Sequence, residues 1–348
     1  MCFRGAPYPN ISYHVGLHRP TDPDFGGVYN LMHEHSMLYQ PSIQATMPRN
    51  TFYISMLQEP LAQLRSAAKH YGIIHKLVGA ETDASLHDVL IKFLSDPTKY
   101  EPKIVPQAYY KVRNHVTNMF GFEDWKDVDN PPEMDQLLRL KERQIFVVIL
   151  EKLAESLILL KRRLCWSFKD ILTLPVKKPQ MEDSVEDLEM EHYHYNPGDH
   201  AIYDFFIRKI GYRIDDLDDK PDFWAEVKFY SNIQEKTQKF CRKVCKRLKG
   251  ERDHSKLKDA LSDDIKFERS PWDDSFKVEG KDCVLLMLGP DVYRNVIKVI
   301  NYPHLCQTDT ADTTWNIPKM YCQKEGYFKY SIPWKVITDP SQYGLQCV

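Results

Sequence analysis

The sequence has no Gly-rich phosphate loop closed by a lysine, no CxxC pair and no uninterrupted apolar run of membrane-spanning length. Each absence removes a class of function. Without the Gly-rich loop, whose N–H groups and lysine cradle a nucleoside triphosphate, a cytosolic P-loop nucleotide-binding protein is disfavoured. The eight cysteines (Cys2, Cys165, Cys241, Cys245, Cys283, Cys306, Cys322 and Cys347) are scattered along the chain, which is not the spacing of a structural zinc site. The longest apolar stretch, Ile145 to Leu160, is interrupted by Glu151, Lys152 and Glu155 and is too polar to cross a bilayer. Met1 to Val15 carries neither a basic segment nor an apolar core, so it does not read as a signal peptide. An excess of one charge sign is missing too: 47 Lys and Arg stand against 49 Asp and Glu, a formal net charge of -2. No global field recruits nucleic acid or an anionic membrane surface, and anion binding has to be local.

What is present is core. The 348 residues are 43% hydrophobic and 12% aromatic, enough for one large decorated domain, expected over residues 1–270 with an irregular extension over 271–348. The sequon at Asn10 and the even cysteine count, three of the eight lying in the last fifty residues, both lean toward a secretory compartment. The first thirty residues are rich in Pro and Gly and read as irregular. Thr51–Leu57 then predicts a strand, and Leu61, Leu64, Ala68 and Tyr71 mark one helical face closed by Gly72. Ile145–Leu150 is a second strand-length apolar run, followed by Leu153, Leu157, Leu160 and Leu164 at helical spacing. Two buried runs, each feeding an amphipathic helix, predict an α/β fold with a parallel sheet covered by helices. Helices are also predicted at Ala84–Leu94, over most of Tyr100–Phe122, at Ala201–Ile214 with Asp199 as N-cap, and at Phe223–Leu248. Met181–His200 reads as an acidic loop, and Cys283–Gly289 as the one strand-like run of the tail.

Several groups could carry chemistry. Lys161, Arg162 and Arg163 sit at a helix C-terminus, where the dipole favours cations without any ligand. His192, His194, Asp199 and His200 cluster in the acidic segment, but a loop without supporting contacts rarely holds a metal, and no metal is expected. Cys241 and Cys245 share a helix face, and Arg242, Lys243, Lys246, Arg247 and Lys249 around them read as a solvated surface. His33 and His35 stand out in an apolar, aromatic segment, where a histidine satisfied by backbone is the commoner case. Gln58 and Glu151 follow the two strands directly, and in open α/β sheets ligands bind beyond the carboxyl ends of strands. Their position marks a site without defining its chemistry.

Three blocks, "MPRNTFYISMLQEPLAQLRSAAKHYG", "EKLAESLILLKRRLCWSFKDILTL" and "HAIYDFFIRKIGY", together resemble the galactose-3-O-sulfotransferases, the family that includes galactosylceramide sulfotransferase. The resemblance covers roughly Tyr29 to Cys245. It implies a nucleotide-kinase-like sulfotransferase fold in a Golgi type II membrane enzyme. Such an enzyme transfers a sulfuryl group from 3′-phosphoadenosine 5′-phosphosulfate to the 3-hydroxyl of galactose on a glycolipid or glycoprotein, without a metal. The family's first strand opens into a Lys-Thr-His-Lys-like loop that holds the phosphosulfate and supplies the base. Its next strand-to-helix turn binds the donor's 3′-phosphate through an arginine and, eight residues on, a serine. By that spacing Ser66 matches the serine and Gln58 takes the arginine's place. The family's His-His-Met-Arg-Tyr-like segment aligns with His35 to Tyr39, Leu38 replacing the arginine, so His33, His35 and Tyr39, with Glu151 placed by its strand-end position, are the expected substrate-binding residues. The same resemblance implies disulfides among the C-terminal cysteines.

No lysine precedes Lys69. The phosphosulfate loop, the first strand and the membrane anchor are therefore not expected within this chain, and the catalytic base is not assignable. The second reading is a non-catalytic relative in the Golgi that keeps a glycan groove or partners an active enzyme.

Overall fold

The structure, a computed structural model, describes residues 51–79, 84–104, 112–122, 138, 145–174, 186–249, 251 and 253–288. Asn10, His33, His35, Tyr39, Cys306, Cys322 and Cys347 lie outside the described residues. The chain divides into two compact units, one drawing on Cys2–Ser156 and Met181–Lys220, the other on Leu157–Gln180 and Pro221–Val348. Among the described residues no helix is long and apolar enough to cross a membrane.

In the first unit, β1 (Tyr53–Leu57) pairs in parallel with β2 (Ile145–Ile149), Tyr53 opposite Ile145 and Leu57 opposite Ile149. All five residues of β2 are buried, whereas Ile54 and Met56 of β1 are exposed. Helix α1 (Pro60–Tyr71) starts two residues after β1 and ends at Gly72, whose φ of 60° is left-handed and costs a glycine little. Helices α2 (Ile73–Val78), α3 (Leu86–Leu94) and α4 (Pro97–Tyr100) follow. Leu61, Leu64, Ile74, Leu90 and Phe93 are almost wholly buried in one cluster with Leu188 and Tyr195. The predicted helix over Tyr100–Phe122 is reduced, among its described residues, to a single 3₁₀ turn at Glu101–Lys103 and the five-residue α5 (His115–Met119). β2 runs through a 3₁₀ turn at Leu150–Lys152 into α6 (Leu153–Leu164). The architecture is helical with a small parallel sheet, as an α/β fold requires.

The acidic segment is not a loop. Glu186–Tyr195 forms helix α7, because Leu188, His192 and Tyr195, at helical spacing, are 1–3% exposed while the acidic residues between them stay in water. The charges hid the period. Helix α8 (Pro197–Asp215) begins earlier than expected, and Asp199 does not cap it. The cap comes from elsewhere in the fold: Asn114 Oδ1 accepts the N–H groups of Gly198 at 3.1 Å and Asp199 at 3.4 Å. Asp199 turns inward instead and accepts the N–H and hydroxyl of Thr117, each at 2.8 Å. Gly198 leaves the room for this approach, since a Cβ there would lie 2.5 Å from Thr117 Oγ1.

The second unit is built on α9 (Lys220–Leu248), which buries Phe223, Tyr230, Ile233, Cys241, Val244 and Leu248 along one stripe. Helix α10 (His254–Ser262), the antiparallel hairpin β3 (Asp264–Phe267) and β4 (Phe276–Glu279), and α11 (Gly280–Met287) complete it. The tail run read as a strand is thus helix α11: Cys283, Val284 and Met287 are buried, and Glu279 with Asp282 forms a reciprocal capping box. A short apolar run does not distinguish a strand from a buried helix turn. Two of the cations ending α6, Lys161 and Arg162, are structural. Lys161 Nζ lies 3.0 Å from Glu226, which is 1% exposed, and donates to the Trp272 carbonyl at 2.9 Å; Arg162 Nε reaches the other Glu226 oxygen at 2.6 Å. Removing Glu226 would leave a buried ammonium unpaired, which costs several kcal/mol in comparable cases.

Cys241 of α9 is bonded to Cys283 of α11, with Cα atoms 5.1 Å apart, and Cys245 is also disulfide-bonded. The expectation that C-terminal cysteines pair holds for Cys283, whose partner is a helix residue that the sequence offered only as a shared face. The bond closes a loop of sequence separation 42, worth about 4 kcal/mol by chain entropy. Peptide mapping under non-reducing conditions is expected to recover Cys241 and Cys283 cross-linked, and Cys283→Ser is expected to lower unfolding stability by about 2–4 kcal/mol. Free thiols at both positions would remove this clamp.

Candidate functional site

The parallel pairing sets the two strand-to-helix turns side by side, and the residues after each strand meet there. Glu59, the N-cap of α1, folds its carboxylate over its own helix, accepting the N–H groups of Leu61 at 2.8 Å and Ala62 at 2.6 Å. Pro60 at the first helical position has no N–H to satisfy. The backbone N–H of Glu59 donates to Glu151 Oε1 at 2.9 Å, and the phenol of Tyr203 on α8 donates to Glu151 Oε2 at 3.1 Å. Glu151 thus ties the ends of both strands to α8 and remains exposed, with lone pairs open to hydroxyl donors.

The electrostatics of this turn are anionic. Burial raises the Glu59 carboxyl above the usual range against the lowering pull of its two N–H bonds, and the charges of Glu151 and Glu189 add to the rise. Burial, together with the charge of Glu151 and the bond to it, pushes the Tyr203 phenol well above its ordinary value, so it stays a donor.

Gln58 is half-buried at the end of β1, and Ser66 is exposed on α1. Because α1 is continuous from Pro60, Ser66 lies ~9 Å along the axis from Pro60. A phosphate shared by Gln58 and Ser66 would lie along the first turns of the helix, beside the N-terminal N–H groups that Glu59 already fills. Tyr203 was missed by sequence reading, since its contact to Glu151 spans 52 residues and has no local signature. The capping role of Glu59 did have one, a side-chain acceptor immediately before a proline that opens a helix.

Of the other histidine-rich cluster, His192 is interior, His200 half-buried and His194 exposed. His192 is 1% exposed. Its Nε2 accepts from Asn196 Nδ2 at 2.8 Å, and its Nδ1 lies 2.9 Å from His200 Nε2. Asn196 Oδ1 accepts the Asn114 N–H at 2.6 Å, which fixes the amide's orientation, so the His192 proton sits on Nδ1 and is donated to His200. Burial, with the neighbouring His200, lowers His192 to about 3. This pair is a neutral structural link, and among the described residues no group of three or more metal-ligating side chains converges.

Comparison with known proteins places the whole region. The family described as galactose-3-O-sulfotransferase matches residues 23–262. The chain belongs to that family. Among its relatives, galactose-3-O-sulfotransferase 2 of Mus musculus is 32% identical over 145 residues, 42% of this chain and 35% of the relative. Galactosylceramide sulfotransferase of Homo sapiens is 28% identical over 147 residues, 42% of this chain and 34% of the relative. Galactose-3-O-sulfotransferase 3 of Bos taurus is 27% identical over 176 residues, 47% of this chain and 37% of the relative. The chain thus spans about a third of the length of the curated family members it matches. No solved structure matches it.

The strand-to-helix turn after β1 lies inside the matched region and carries a carboxylate cap. Glu59→Ala is expected to lower stability by about 1 kcal/mol through loss of the cap. Glu59→Gln keeps one acceptor and removes the titration. Since the folded state holds the Glu59 proton more tightly than the unfolded chain, this group's contribution is present below its unfolded value of about 4.3 and is lost as pH rises through the higher folded value. Urea unfolding at a series of pH values is expected to show wild type losing stability relative to Glu59→Gln over that window. A difference independent of pH would mean that Glu59 is not perturbed.

Proposed function

We propose that this chain serves galactose sulfation, with 3′-phosphoadenosine 5′-phosphosulfate as donor and the 3-hydroxyl of a galactose on a glycolipid or glycan as acceptor. The observation that carries the reading is the pair of strand-end turns, Gln58–Glu59 and Glu151, joined side by side inside the region that defines the family. A nucleotide-kinase-like sheet presents such turns to its ligand at the carboxyl ends of parallel strands.

In this reading Gln58 and Ser66 meet the 3′-phosphate along the flank of α1, and Glu151, oriented by Tyr203, accepts hydrogen bonds from sugar hydroxyls, with His33, His35 and Tyr39 as further acceptor contacts. Transfer itself requires cations on the leaving phosphate and a base for the acceptor proton; both roles fall to the family's phosphosulfate loop. A glutamine gives the phosphate neutral bonds where arginine gives charge-assisted ones, roughly twice as strong. The compartment that suits the chain is the Golgi lumen, since disulfides such as Cys241–Cys283 persist in oxidising surroundings.

The test is calorimetry with 3′-phosphoadenosine 5′-phosphate on the chain joined to a family-type phosphosulfate loop, with and without Gln58→Arg, followed by sulfate transfer to galactosylceramide. Arginine is expected to tighten binding about tenfold, the step from a neutral to a charge-assisted bond. Equal affinities would take position 58 out of the phosphate site. Galactoside binding without nucleotide binding would reassign the chain to glycan recognition alone.

A further inference from the structure

The last turns of α9 and the start of α10 enclose a cleft of about 530 Å³ lined by Lys246, Arg247, Lys249, Glu251, Lys256 and Asp259. Among the described residues, four cations face two carboxylates, and no aliphatic or aromatic residue lines the wall. The helix dipole explains cations at the end of α9. It does not explain Lys256, which stands in the first turn of α10, where the dipole opposes a cation. Arg247 is held by Asp263 at 2.8 Å, and Lys256 lies 3.8 Å from Glu251. Lys246 and Lys249 are exposed and form no ion pair among the described residues. Disulfides at Cys241 and Cys245 anchor this end of α9, so the cations project from a fixed platform.

We infer that this cleft is a binding site for a small saccharide carrying a tetrahedral oxyanion, a sulfate or phosphate ester. Lys246 and Lys249 meet the ester oxygens with charge-assisted bonds, and Asp259 and Glu251 accept from the sugar hydroxyls. The described wall presents no aromatic ring on which a nucleotide base could stack and no aliphatic residue to cover an acyl chain, which favours neither. A bare inorganic anion would gain nothing from the two carboxylates. The cleft is built from none of the residues at the β1 and β2 turns, so the inference stands apart from the reaction proposed above.

Titration calorimetry on the full chain, with a sulfated heparin disaccharide, glucose 6-phosphate, inorganic sulfate and neutral lactose as separate ligands, tests it. Binding of at least one charged sugar at millimolar concentration or tighter is expected, weakening as salt is raised, with inorganic sulfate and lactose each at least about tenfold weaker. The variant carrying Lys246→Ala and Lys249→Ala is expected to lose about tenfold in affinity at unchanged thermal stability. Lys258→Ala, exposed on α10 and outside the cleft, is expected to bind as wild type. Inorganic sulfate binding as tightly as the charged sugars, stronger retention on phosphatidylserine vesicles, no charged-sugar binding, or full affinity in the double variant would each overturn the proposal.

Discussion

The parallel pairing of Tyr53–Leu57 with Ile145–Ile149 is the constraint on which the first unit depends. Its register puts Leu57 beside Ile149, so both chains leave the sheet at the same height and their next residues have to share one small volume. The Glu59 N–H can then reach Glu151, and Glu151 can reach the Tyr203 phenol. A slip of one residue would turn every side chain of β1 to the other face and separate these groups. The turn is consequently a joint between two β-α units.

That joint has an electrostatic consequence. A helix N-terminus is a ready anion site because its first N–H groups lack partners, but here Glu59 supplies the anion from the chain itself. With Glu151 alongside, the local field opposes a second anion on the same N–H groups.

Buried polar links organise both units. In the first, Asn114, Thr117, Asn196, Asp199 and His192 satisfy one another between α5 and the start of α8, replacing a local cap with one drawn from some 80 residues away. In the second, Glu226 holds Lys161 and Arg162 together. Such networks tolerate loss poorly, because an unpaired buried donor or acceptor keeps its full desolvation cost. They fix which helices meet more tightly than apolar packing alone would.

The elements that the sequence by itself determined are those whose burial follows a simple period. β1, α1, β2, α6 and α9 were legible from apolar runs and helical stripes, and the strand-end position of Gln58 and Glu151 followed from them. Helix α7 was not, because its acidic residues outnumber the three that it buries; α11 was not, because four or five apolar residues fit a strand as well as a helix. The partners of Cys241, Glu151 and Asp199 were beyond reach for another reason. Each is chosen by what the packed helices bring within about 3 Å of a sulfur or an oxygen, and contacts made across 42, 52 or 82 residues of chain leave no periodicity in the residues next to them. Local burial preference is written along the chain, while the pairing of polar groups exists only once the chain has folded.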